Sequence, residues 1–207
     1  MPAESASLIR WATYASVSVA VFLITVKLIA WGRSDSVSLL ATLVDSVLDA
    51  FASIINLIAV RHALTPADKE HRFGHGKAEA LAGLSQSLFI AGSSLFLLLE
   101  AAQAFVNPAE IKHAFSGIAV MAISIVATLG LVSFQHYVIK KTRSVAIRAD
   151  ALHYKSDILV NCAVILALWL STMGLNIFDP IIGGLIACYI LYSVWSIVSI
   201  SLDQLMD

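Results

Sequence analysis

With 207 residues, 59% of them hydrophobic and 13% charged, the chain has a mean hydropathy of +0.86 and far less charge than the ~25% typical of a soluble domain. Its formal net charge of −1 offers no basic surface to a nucleic acid, so that class of partner is set aside. The apolar residues come in long runs rather than in helical or strand stripes, which excludes a soluble globular domain and leaves little room for one beside the spans.

Six runs near the length of a spanning helix predict an all-α membrane protein, a six-transmembrane-helix bundle. The first, about Leu8–Trp31, is too long for a signal-peptide core and has no clear cleavage site behind it. Lys27, near its outer end, is expected to snorkel to the interface. The second, Val37–Ala63, carries Asp45 and Asp49, and Ser53 and Asn56 continue its polar stripe. The third, Ala78–Phe105, has Gly83, Ser87 and Gly92 at close spacing, with Glu100 near its outer end. The fourth is Phe115–Ile139. The fifth, Val145–Thr172, carries His153, Asp157 and Asn161, while Lys155 lies about 160° around the helix from the first two and should point away from them. The sixth, Pro180–Leu202, carries Gly183, Gly184 and Ala187. Small residues let helices approach closely, and these fit a three–six pair packed against the other four, although generic packing would use the same residues. Cys162 and Cys188 sit in separate spans without CxxC spacing and read as buried free thiols.

Short polar connections make successive helices antiparallel neighbours. Arg10, then Arg61, Lys69, Arg72 and Lys77, then Lys140, Lys141, Arg143 and Arg148 fall on one side, against Arg33 and Lys112 on the other. The positive-inside rule therefore places the N and C termini in the cytoplasm.

Asp45 and Asp49 stand four apart near the centre of one span, and His153 and Asp157 stand four apart near the centre of another. A step of four returns to the same helix face. A carboxylate at bilayer depth costs roughly 2.5–3.5 kcal/mol on insertion scales, so three carboxylates and an imidazole need a reason. Antiparallel helices at matched depth can bring the four together. Three oxygens and one nitrogen suit tetrahedral Zn²⁺ and tolerate neighbouring transition metals, whereas Mg²⁺ prefers octahedral oxygen and keeps its waters. The competing reading is a metal-free proton relay, or hydrogen bonds that tie helices together. Clustered carboxylates repel one another and hold protons when no cation is present, and a divalent ion must displace those protons. Such mutually exclusive occupancy is what an antiporter requires.

SVSLLATLVDSVLD (Ser36–Asp49), FGHGKAEALAGL (Phe73–Leu84) and VAIRADALHYKSD (Val145–Asp157) resemble the cation diffusion facilitator family, its bacterial zinc transporters most closely, over all six spans. The resemblance implies a homodimer in the bacterial inner membrane. Such a dimer exports Zn²⁺, and often Cd²⁺ or Fe²⁺, in exchange for protons. It also implies a transport site whose positions match Asp45, Asp49, His153 and Asp157. Family members usually continue into a cytoplasmic domain that binds regulatory metal. The chain ends at Asp207, so that domain is expected to be absent and dimer contacts weakened.

Asp68, His71 and His75, in the second connection, offer three ligands at spacings of three and four. On a basic connection such a cluster is often a solvated rim, but the resemblance implies a second zinc site at these positions. Lys77 and Glu79 flank the start of the third span, and Asp203 and Asp207 the end of the sixth. They read as a solvated charge ring or an ion pair between helices, with Lys77 structural rather than a ligand. His62, His113 and His136 lack an acid at ligand spacing and read as interfacial or packed. An intramembrane metalloenzyme is disfavoured, since there is no HExxH and four ligands leave no open position for water. The expectation is a secondary transporter. The alternative is a metal-sensing or proton-conducting membrane protein without metal flux.

Overall fold

The computed structural model describes residues 3–34, 37–65, 75–106, 114–173 and 177–206. They form α1 (Ala3–Ser34), α2 (Val37–Ala63), α3 (Lys77–Val106), α4 (Ala114–Thr142), α5 (Val145–Thr172) and α6 (Phe178–Met206), and the described residues include no strand. Each expected span lies within one helix. Five of the six are long and apolar enough to cross a membrane: α1, α2, α3, α4 and α6. The remaining helix, α5, carries Arg148, Asp150, His153, Lys155 and Asp157 in its first half.

The bundle is apolar outside and buries many polar groups beside its apolar core. Phe51, Leu88, Phe96, Val126 and Trp195 are exposed, while Ser16, Ser53, Asn56, Gln86, Ser87, Gln135 and Asp150 are buried. Such an exterior suits a hydrocarbon solvent, and polar groups then gather where other helices can satisfy them. Cys162 and Cys188 are free but exposed rather than buried, because the small thiol is apolar enough for the outer surface.

The most extensive helix contact is α3 with α6, as the small residues suggest. A β-carbon at Gly83 would come within 2.9 Å of Val145 Cγ1 and 3.0 Å of Ser201 Oγ, so α3 approaches both α5 and α6 at a point where only hydrogen fits. Gly183 and Gly184 face Ala101 of α3, but Gly92 meets open space and takes no part. On the other side α1 packs against α2 and α4, and α4 against α5. Helices α2 and α5 barely touch.

Five helices converge at the end that carries both chain termini and the basic connections. Ile9, Ala12, Val60, Ala82, Val138, Ala146 and Ile147 form one buried apolar cluster there. The start of α5 is fixed beside it. Arg143 adopts φ 55°, its N–H donating to Ile139 O (2.8 Å) to end α4. Ser144 then caps α5, its Oγ accepting from the Ile147 N–H at 3.2 Å. Glu79 Oε1, from α3, accepts from the Val145 N–H at 3.0 Å. Glu79 is thus buried and structural, not part of a solvated ring, because the first turn of α5 has free N–H groups to offer it.

Lys77 Nζ donates to Leu205 O at 3.0 Å, a cation on the last turn of α6, which fits its structural reading. Asp207 lies outside the described residues, as do Lys112 and His113. Lys27 does not snorkel. Its Nζ donates to Thr42 O (3.0 Å) and to Ser46 Oγ (2.6 Å) of α2, since close α1–α2 packing places acceptors within its reach. Lys155 points away from the His153 face as expected, donating to the Tyr189 hydroxyl of α6 at 2.8 Å.

Glu79→Ala leaves the Val145 N–H buried without a partner and is expected to cost about 1–3 kcal/mol, read as a lower unfolding temperature in detergent. Glu79→Gln, whose amide oxygen still accepts, should recover most of it; identical melting of the two variants would refute the assignment.

Candidate metal centre

Helical periodicity places His153 and Asp157 on one face of α5, and Asp49 faces them from α2. His153 Nε2 lies 3.0 Å from Asp49 Oδ1 and 4.0 Å from Asp157 Oδ2. One potential ligand atom from each of the three residues falls within 4.8 Å of the others. This cluster sits where α2 and α5 otherwise have little contact.

His153 is buried, and its Nε2 has no hydrogen-bond partner. Its approach to Asp49 has the distance of a hydrogen bond but not the direction. A nitrogen and two carboxylate oxygens therefore converge on a shared point. Around Zn²⁺, with bonds of about 2.0–2.2 Å, ligand atoms in a tetrahedron stand about 3.3–3.5 Å apart. The separations of 3.0 and 4.0 Å bracket that value.

Of the four expected ligands, the structure gathers Asp49, His153 and Asp157. Asp45 lies one turn along α2, is exposed, and is outside the gathered group. Lys27 is held on Ser46, next to Asp45, and brings a positive charge to this side of the centre. Of the second expected cluster, Asp68 and His71 lie outside the described residues. His75, just before α3, places its ring 4.5 Å from that of His62 at an interplanar angle of 68°. His62 is therefore ring-packed rather than solitary.

Toward the basic end, one turn from His153, lies a buried polar set that the sequence reading did not single out. Tyr154 OH donates to Ser16 O at 3.1 Å and lies 2.9 Å from Ser53 Oγ. Asp150 is fully buried, its Oδ2 within 2.5 Å of Ser16 Oγ and 2.7 Å of Gln135 Nε2. Position was the available signal: an acid three residues before a ligand histidine shares its helix face.

Residues 13–206 match the family model described as the cation efflux transmembrane domain. The Cation-efflux pump FieF of Serratia proteamaculans is 45% identical over 207 residues, covering all of this chain and 69% of the relative. The protein of the same name from Pectobacterium carotovorum is 48% identical over 202 residues (98% of this chain, 67% of the relative). That from Shewanella oneidensis is 47% identical over 199 residues (96% and 67%).

Deleting a residue that only supports a metal ligand typically costs about 10–100-fold in affinity, so His153→Ala, which removes the sole nitrogen, should weaken Zn²⁺ binding at least that much in a calorimetric titration. Lys155→Ala, directed toward α6, should leave the affinity within about twofold.

Proposed function

Because the chain belongs to the cation efflux (cation diffusion facilitator) family, we propose that it exports Zn²⁺, with Cd²⁺ and Fe²⁺ as further cargo, in exchange for protons. The observation that carries this reading is the convergence of Asp49, His153 and Asp157 between two helices that are otherwise scarcely in contact. In this reading all six helices cross a bacterial inner membrane, with both termini and the basic end in the cytoplasm.

The cation is cargo, held in passing. Asp49 Oδ1, His153 Nε2 and Asp157 Oδ2 supply three ligands after shifts of under about 1 Å each. Asp45 completes the set by turning in from its exposed position on α2. Three carboxylates and one imidazole match a borderline cation better than Mg²⁺. No bond in a substrate is broken, and four protein ligands leave no place for an activated water, so transport rather than catalysis follows.

Exchange arises because the same atoms serve both ions. A carboxylate oxygen or imidazole nitrogen that carries a proton cannot bind metal. Protons arriving from outside expel the cation, and the cation arriving from the cytoplasm expels protons. The sparse α2–α5 contact lets these helices change their separation, while the closely packed α3–α6 pair supports them; in this reading two protomers pair as a homodimer.

Reconstituted in vesicles containing a zinc dye, the protein should show Zn²⁺ flux that follows an imposed pH gradient, and Asp49→Ala should abolish it. Flux that persists in that variant, or ignores the gradient, would overturn the reading. The sign for binding is also fixed: protonated ligands compete with metal, so Zn²⁺ affinity should rise from about pH 5.5 to about pH 7.5. A flat calorimetric profile over that range would contradict it.

A further inference from the structure

Asp150 is a buried carboxylate that the metal centre does not use. Two bonds reach one of its oxygens: Oδ2 is 2.5 Å from Ser16 Oγ of α1 and 2.7 Å from Gln135 Nε2 of α4. Its other oxygen, Oδ1, is buried without any partner. Gln135 is in the same state: Nε2 donates to Asp150 and to Ser16 Oγ (3.0 Å), while Oε1 is buried and unpartnered. A carboxylate and a carboxamide already joined through one N–H therefore each keep a bare acceptor. A single hydrogen on Asp150 Oδ1 would serve both, since a carboxylic acid and an amide can pair through O–H···O and N–H···O together.

Among the described residues no lysine or arginine takes the place of that hydrogen. From α1 the facing group is Ser16; Glu4, Arg10 and Tyr14 are exposed, and Lys27 is bound to Thr42 and Ser46. From α4 it is Gln135; His136, Tyr137, Lys140 and Lys141 are exposed. On α5, Arg148 and Lys155 are exposed, leaving His153, turned to Asp49 and Asp157, and Tyr154. From α2, Asp49 meets His153, while Asp45, Arg61 and His62 are exposed. From α3, Glu79 holds the Val145 N–H, with Lys77 and Glu100 exposed; on α6, Asp203 is exposed.

We propose that Asp150, paired with Gln135 and Ser16, is a second proton-binding site that gives up its proton when the cation arrives, without touching the metal. Ala146 and Ile147, one turn below it, belong to the apolar cluster that closes the basic end. On the other side Ser16, Tyr154 and Ser53 link it by hydrogen bonds to the face of α2 that carries Asp49. A divalent charge about one helical turn away favours the carboxylate over the acid, so metal loading expels the proton by field rather than by competition for an atom. This rests on the proton-exchange reading above.

The test counts protons released per Zn²⁺ bound, by calorimetry of the full chain in buffers of different ionisation enthalpy. Asp150→Asn should bind Zn²⁺ with unchanged stoichiometry and release fewer protons, by up to about one per metal. Unchanged release in a folded variant overturns the proposal. No release from the unmodified protein would instead defeat the exchange reading itself. Should Asp150→Asn not fold, infrared difference spectra of the unmodified protein decide. Zn²⁺ addition should remove a buried carboxylic-acid carbonyl band, and Gln135→Leu should shift it. Absence of the band, or indifference to Gln135→Leu, would end the assignment.

Discussion

A charged side chain among apolar helices has no bulk water to turn to, so another helix or a bound ion must satisfy it. The buried charges of this bundle obey that rule from different helices. Lys27 of α1 is met by α2, Glu79 of α3 by the first turn of α5, and Asp150 of α5 by Ser16 of α1 and Gln135 of α4. Apolar contacts between helices compete with equally apolar lipid and specify little. These few polar bonds therefore select which helices neighbour one another and at what register. The set of partners is incomplete at His153 Nε2 and at Asp150 Oδ1.

The same economy divides the bundle into a firm part and a loose part. At Gly83 the α3 backbone meets α5 and α6 with no space for a methyl group, and the α3–α6 contact is the longest in the fold. Nothing comparable joins α2 to α5, where Asp49, His153 and Asp157 gather. Ligand groups supported from outside, with little packing between them, can accept an ion of small radius and also part from it.

What could be read from the sequence followed from periodicity and from rarity. Long apolar runs gave the six helices, and a spacing of four put His153 and Asp157 on one face of α5. Lys155 was directed away from the centre by the same arithmetic. Local chemistry misled elsewhere. Lys27 and Glu79 look like boundary residues, and only tertiary packing reveals that an α2 carbonyl and the α5 N-terminus are waiting for them. Asp150 went unremarked, because one chain position says nothing about Ser16 and Gln135, which are far away in sequence. Asp45 shares its face with Asp49, yet a spacing rule carries no information on which rotamer a flexible acid adopts.

Only Arg143 and Ser144 separate α4 from α5, and Arg143 is already in the left-handed region that a β-substituted residue seldom enters. Such a short join leaves little slack, so the end of α4 and the start of α5 are held together at the Glu79-anchored corner. His153 sits nine positions beyond Ser144, about 13 Å along the arm. A swing of about 10° moves its imidazole by about 2 Å, roughly one zinc–nitrogen bond length. Small changes in the tilt of α5 are thus large on the scale of the distances from His153 to Asp49 and Asp157.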